Sequence, residues 1–214
     1  MKILKVNPEN LRESEEAIIE AAKVMLGGGL VIFPTDTVYG LGCDATQESA
    51  IKKIFKIKNR QETNPLAIIV RDIAMAKKVA FVEPKIERAL NSVWPGAVTV
   101  VLWKRSRLPE VLTAKEQTIG LRIPDYKLTY LLAENMARPY VATSANYSGE
   151  PATNKIGQVI KYFEKSPYRP DLILDGGDLK WCEPSTVLDL SKDKPKITRI
   201  GPVDKKKLME ILSI

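Results

Sequence analysis

The sequence predicts an α/β fold: a twisted, mixed parallel and antiparallel sheet with helices packed on it. Three observations lead there. Short apolar runs rich in Val, Ile and Leu, bounded by Pro, Gly or Asp, recur along the chain. Segments of helical period alternate with many of them. Some successive runs, 98–103 and 119–123 among them, have no helix between, so the sheet cannot be purely parallel.

In chain order, strand 2–6 (KILKV) precedes a helix over 11–26, which Gly27-Gly28-Gly29 stops. Strand 30–33 (LVIF) ends at Pro34. The next helix spans 46–58, with Thr46 as its cap, Glu48 in the first turn and Ile51, Ile54 and Phe55 as the buried stripe. Asn64-Pro65-Leu66 leads into strand 66–70 (LAIIV), and helices follow at 73–79 and 84–93. Strands 98–103 (VTVVLW) and 119–123 (IGLRI), a helix over 126–136, strand 140–143 (YVAT) and a helix over 154–164 come next. Strands 172–174, 185–190 and 196–200 and a charged closing helix over 203–212 complete the chain. The 214 residues suit a single domain over 1–214, with no linker, repeat or low-complexity segment.

Composition narrows the function. A hydrophobic fraction of 44% and a charged fraction of 28% exclude a disordered chain or a collagen. Nowhere do ~18 apolar residues run together, so no membrane span is expected. The first residues turn acidic before an apolar signal core could form, so a cytoplasmic location is expected, with Cys43 and Cys182 as free thiols. There is no histidine, which excludes Ser-His-Asp and Cys-His catalysis and the usual His-based zinc sites. What is left suits phosphate chemistry, in which positioning and charge stabilisation outweigh proton shuttling. The formal charge of +7 fits an acidic partner such as a nucleotide or RNA, and equally fits solubility alone.

Several polar residues stand where a purely structural pattern does not need them. Thr35, Asp36, Thr37 and Tyr39 follow a buried strand, where open α/β sheets bind ligands, although a capped turn would use the same residue types. Lys58 continues the apolar stripe of its helix at i+7, so it points inward, and an anion is expected beside it unless it snorkels at the helix end. Arg60 follows as that helix ends. Ser144-Ala145-Asn146-Tyr147-Ser148-Gly149 offers small donors after a strand, a phosphate cradle or a polar turn. Arg122 and Arg199 each sit inside an apolar run and need a carboxylate or phosphate partner. Together Lys58, Arg60, Arg122, Arg199 and the Ser, Thr and Asn donors describe an anion site with several cations and no general base. There is no P-loop and no GxGxxG opening a helix.

These stretches resemble the YrdC-like domain of threonylcarbamoyl-AMP synthases. The resemblance is carried by Pro34-Thr35-Asp36-Thr37-Val38-Tyr39-Gly40-Leu41-Gly42, Lys58-Asn59-Arg60 with Asn64-Pro65-Leu66, Trp94-Pro95-Gly96, Arg122-Ile123-Pro124, Ser144 to Gly149, Ser185-Thr186-Val187 and Arg199-Ile200-Gly201, in order across nearly the whole chain. It implies the condensation of L-threonine, bicarbonate and ATP into threonylcarbamoyl-AMP, releasing pyrophosphate, for tRNA modification. It further implies a catalytic tetrad of Lys58, Arg60, Ser144 and Asn146; Thr37, Arg122, Ala142 and Ser185 around threonine, with Arg122 on its carboxylate; and Asn64, Thr118 and Arg199, with Arg60, Ser144 and Asn146, on ATP. Mg²⁺ would be held mainly by the ATP phosphates, with no metal-ligating residues of the protein's own. A downstream threonylcarbamoyl transferase and a possible tRNA contact are the implied partners. The chain departs from the family pattern at Gln61, Ala97 and Tyr126, and at Ile69, where some relatives place a threonine-contacting histidine. Two other readings stay open: an RNA-binding module, supported by basic clusters at 52–60, 104–107 and 205–207, and a non-synthase paralogue of the same fold.

Overall fold

The computed structural model describes residues 1–105, 108–164 and 166–211. Ser106 and Arg107 of the basic run 104–107, the Lys207 side chain and residue 212 of the expected last helix lie outside the described residues. The strands are β1 (Lys2–Lys5), β2 (Val31–Phe33), β3 (Gly40–Gly42), β4 (Ile68–Ile69), β5 (Val98–Trp103), β6 (Thr118–Arg122), β7 (Tyr140–Val141), β8 (Thr143–Ser144), β9 (Leu172–Asp175), β10 (Thr186–Asp189) and β11 (Lys196–Arg199). The helices are α1 (Glu15–Leu26), α2 (Glu48–Lys58), α3 (Ile73–Val79), α4 (Pro84–Val93), α5 (Lys127–Met136), α6 (Ile156–Glu164) and α7 (Lys205–Ile211).

The strands form two sheets, both mixed. One has the order β1-β9-β2-β3-β8 and the other β11-β10-β5-β6-β4-β7. The expected strand 140–143 is two strands, β7 in one sheet and β8 in the other. Between them the Ala142 N–H donates to the Ala67 carbonyl at 3.0 Å, so the chain passes from sheet to sheet at Ala142. Strand β3 has no counterpart in the sequence reading, where its glycines indicated a turn. Its backbone is extended by pairing with β2 and β8, and glycine is required because the space beside it is already filled: a Cβ at Gly42 would stand 2.1 Å from the Val141 carbonyl oxygen, and one at Gly40 2.8 Å from the Phe33 ring.

Helix α1 is preceded by one 3-10 turn, Leu11–Ser14, rather than starting at Leu11. Helix α2 begins at Glu48, and Thr46 does not cap it. The Thr46 amide and hydroxyl both donate to the fully buried Asp44, at 2.8 and 2.7 Å, an Asx turn that competes with capping. The apolar stripe of α2 is as expected, with Ile51, Ile54 and Phe55 buried.

Two apolar layers hold the molecule. Helices α1 and α5 cover the five-stranded sheet through Ile18, Met25, Leu128 and Leu132 on Val31, Phe33 and Leu172. The larger layer joins α2, α3, α4 and α6 to the six-stranded sheet and the inner side of β3. Each buried aliphatic side chain of this kind contributes roughly 1.5–3 kcal/mol. Along β5, Val98, Val100 and Leu102 enter that layer, and along β6 so do Ile119 and Leu121. The residues between them face the other way. Antiparallel register sets Val101 opposite Gly120, and parallel register sets Val187 of β10 beside Thr99. One face of the six-stranded sheet therefore presents Thr99, Val101, Thr118, Gly120, Arg122 and Val187, while toward β4 and β7 Ile69 and Tyr140 on that face pack under α1 and α5.

Candidate active site

A cleft of about 370 Å³ opens over that face. Its floor is the alternate residues of β5, β6 and β10. Its walls are the loop between β2 and β3, the crossing at Ala142–Ser144, and the side chains of Arg60 and Arg199. Gly120 keeps the floor low, since a Cβ there would come within 3.3 Å of Ala67 and Thr99.

Of the residues expected at the site, Thr37, Arg60, Thr118, Arg122, Ala142, Ser144, Ser185 and Arg199 all line this cleft. Lys58, Asn64 and Asn146 are not among its lining residues. Lys58 is 2% exposed and points inward, as its place on the helix requires. The expected anion is replaced by dipoles: its Nζ donates to the backbone oxygens of Ser144 and Asn146 and to Asn146 Oδ1, the last two at 2.6 and 3.1 Å. The Lys58 carbonyl accepts from the Ser148 amide at 2.8 Å, and Asn146 Nδ2 donates to the Glu150 carbonyl. Lys58 thus holds the loop that carries Ser144. Burial, with the Arg60 charge adding to it, pushes its ammonium down to about 7. Gly149 closes the loop with φ +90°, the backbone its glycine permits. Asn64 is exposed and contributes its carbonyl, which accepts from Arg60 Nε at 3.3 Å.

The three cleft arginines are held differently. Arg60 donates to the carbonyls of Asn64 and Pro65, and Arg199 donates to the Ser185 carbonyl and hydroxyl at 3.0 and 3.1 Å. Among the described residues neither has a carboxylate partner. Partial burial lowers the pKa of both guanidiniums, which stay charged near neutrality. Arg122 is 8% exposed and donates to the Gly96 carbonyl, to Thr37 Oγ1 at 3.2 Å and to Asp36 Oδ1 at 2.7 Å. The carboxylate that a mid-strand arginine demands is therefore Asp36, of the same chain.

Two residues that build the site were given no role there from the sequence. One is Asp36. The other is Thr99, whose hydroxyl lies 2.8 Å from that of Ser185 and so ties the floor to Arg199. The signal for Thr99 was there: a threonine at the second position of an apolar strand, on the same period-two face as Val101. Ile69 lines the cleft and is 3% exposed, adding apolar surface where a histidine would have added a donor. Among the described residues there is no group of three or more His, Cys, Asp or Glu that could hold a metal ion. Cys43 is buried and both cysteines are free. No described helix is long and apolar enough to cross a membrane.

A family model described as telomere recombination, covering Sua5, YciO and YrdC, matches residues 23–201. The chain belongs to the Sua5/YciO/YrdC family. Among its relatives is the threonylcarbamoyl-AMP synthase of Pyrococcus abyssi, 35% identical over 206 residues, which are 95% of this chain and 60% of that protein. The Bacillus subtilis protein of that name is 33% identical over 95% of this chain and 59% of its own length. This chain thus spans about 60% of the length of these two relatives. The structure of Pyrococcus abyssi Sua5 complexed with L-threonine superposes with a TM-score of 0.91 at 34% identity, covering 99% of this chain and 61% of that one. Escherichia coli YciO superposes with a TM-score of 0.87 at 27% identity, over 97% of this chain and 100% of its own. The family motifs carry the cleft described above: thirteen of its lining residues fall within the stretches that carry the resemblance.

Proposed function

We propose that this chain is an L-threonylcarbamoyladenylate synthase, a nucleotidyltransferase that condenses L-threonine, bicarbonate and ATP into threonylcarbamoyl-AMP, pyrophosphate and water. One observation carries the reading: a single cleft holds two guanidiniums, Arg60 and Arg199, that have no carboxylate partner among the described residues, beside a third, Arg122, on a floor that includes hydroxyls. Kinship with synthases at 33–35% identity, and a relative crystallised with L-threonine, support it.

The chemistry asks for what these residues offer. Threonine's neutral amine adds to CO₂ with loss of a proton, or to bicarbonate with loss of water, giving a carbamate. A carbamate oxygen then forms a bond to the α-phosphorus of ATP as the bond to pyrophosphate breaks, and the electron pair leaves with pyrophosphate. The nucleophile is already anionic, so this second step needs no base. Its barrier is the approach of two anions, and Arg60 and Arg199 lower it by balancing charge on the triphosphate and the leaving group. Ser144 Oγ and Thr118 Oγ1 are hydroxyl donors for phosphate or ribose oxygens. Lys58 and Asn146 act on this reading by fixing the 144–150 loop, and Thr37, Ala142 and Ser185 surround the amino acid.

The residues fit a Mg²⁺ that arrives with ATP. Among the described residues no carboxylate lines the cleft, and Asp36, which holds Arg122, already accepts through both oxygens, from Arg122 and from the Asp125 amide at 3.0 Å. When bound, the ion would supply charge neutralisation on the phosphates. The same reading brings a downstream transferase that accepts the adenylate, a possible tRNA contact and a cytoplasmic setting.

The test is to incubate the protein with labelled threonine, bicarbonate and ATP-Mg²⁺ and look for the carbamoyl adenylate by chromatography. Pyrophosphate release that requires threonine is the expected result. An RNA-binding module or a non-synthase paralogue would release none.

A further inference from the structure

The three cleft arginines differ in one respect that bears on which ligand each can take. Among the described residues Arg60 and Arg199 have no carboxylate partner, whereas Arg122 lies 2.7 Å from one, with the Arg122 and Asp36 side chains only 10% and 13% exposed. Asp36 is itself fixed by the Asp125 amide at 3.0 Å, and Arg122 by the Gly96 carbonyl at 2.9 Å and Thr37 at 3.2 Å. A guanidinium has five N–H donors. Three are committed here, one to each of Gly96, Thr37 and Asp36, which leaves one N–H on each terminal nitrogen. A single carboxylate can still be taken across those two nitrogens.

What Asp36 changes is the charge. The Asp36–Arg122 pair is neutral overall. Asp36 does not itself line the cleft but stands behind Arg122, so a polyphosphate gains little net attraction there and is repelled by the Asp36 charge through a buried setting that screens it poorly. At Arg60 and Arg199 it meets positive charge that no carboxylate among the described residues offsets. An α-amino acid is different, because its carboxylate complements Arg122 while its ammonium complements Asp36.

We propose that Asp36 is a specificity-determining residue: it makes Arg122 a subsite for the zwitterion of an α-amino acid and keeps polyphosphate away from it. The proposal rests on reading the cleft as a site for threonine and ATP. It explains how three arginines in one pocket are sorted, two for phosphates and one for the amino acid.

Asp36→Asn keeps the shape and removes the charge. Wild type and variant are compared by calorimetry with L-threonine and with 3-hydroxybutyrate, which keeps threonine's carboxylate and hydroxyl and lacks the ammonium. Steady-state kinetics with pyrophosphate as inhibitor are run alongside. The wild type is expected to prefer threonine by about tenfold or more, and the variant to narrow that ratio by about fivefold or more. Pyrophosphate competes with ATP in both proteins and competes with threonine only in the variant. Asp36→Glu, which keeps the charge, restores part of the selectivity and serves as the second variant if the amide folds poorly. A purely structural Asp36 would weaken both ligands alike and leave the inhibition pattern unmoved. Wild-type turnover with unchanged selectivity in the variants overturns this assignment alone. A wild type with no threonine-dependent pyrophosphate release overturns the reading of the cleft and this assignment together.

Discussion

At the scale of single residues, the cleft works by deciding which charges are compensated. Lys58 is compensated by oxygens of the loop it braces, so its loss would orphan three acceptors and release the segment holding Ser144. Lys58→Ala is expected to destabilise the protein by about 3 kcal/mol, and to lower adenylate formation by about 100-fold or more. Near-normal turnover of the folded variant would rule that out. The ammonium titrates near 7 in the folded chain and at 10.5 when unfolded. Between those values the unfolded chain holds a proton that the folded chain lacks. This site's contribution to stability therefore rises with pH across that window and is lost as pH falls through the lower value. The stability gap between wild type and Lys58→Met, read from urea midpoints, should be wider at about pH 9 than at about pH 6. A gap that narrows contradicts the assignment. Arg60→Ala and Arg199→Ala should each weaken ATP binding by about tenfold while leaving threonine binding within about twofold. Equal losses for both ligands would mean the two arginines do not form the phosphate end.

Among the elements, β3 and the passage from β7 to β8 decide the shape of the cleft. Neither is legible from propensity, because glycine is a poor strand former and a tight turn uses it equally well. Only the contacts of Gly42 with the Val141 carbonyl show why the position has no side chain. Gly42→Ala is expected to cost about 3 kcal/mol or more, since backbone rather than a flexible side chain must move. Gly157 is the control: nothing lies within 4 Å of a Cβ there, and it sits in α6. Gly157→Ala should leave stability unchanged or raise it by up to about 1 kcal/mol. Chemical denaturation of the two variants reads both effects, and similar losses in both would refute the distinction. Helices α3 and α4 and strand β5 were legible to the residue, because apolar period alone sets their faces. The start of α2 was not, because a buried Asp44 takes the donors of Thr46 from a partner that pattern cannot reveal.

For the molecule as a whole, the proposed function puts both substrates in one cleft, and such binding would couple them to folding. At concentrations of about 100 times its dissociation constant, a ligand adds about 2.7 kcal/mol, which is a rise of about 5–10 °C in melting temperature for a chain of this size. Threonine and ATP-Mg²⁺ together are expected to raise it beyond either alone, read by thermal shift. A single ligand producing the full effect would argue against a shared cleft. The sequence by itself determined the fold class, the cations that matter and the family. Each is written in local pattern: apolar period, the misplaced polar residue, and motifs in order. Which charges meet was decided only by tertiary structure. Asp36 and Arg122 are 86 positions apart, Thr99 and Ser185 likewise, and Lys58 reaches its acceptors across a similar span. Such pairings depend on strand register and on one sheet handing the chain to the other, and no local propensity encodes them.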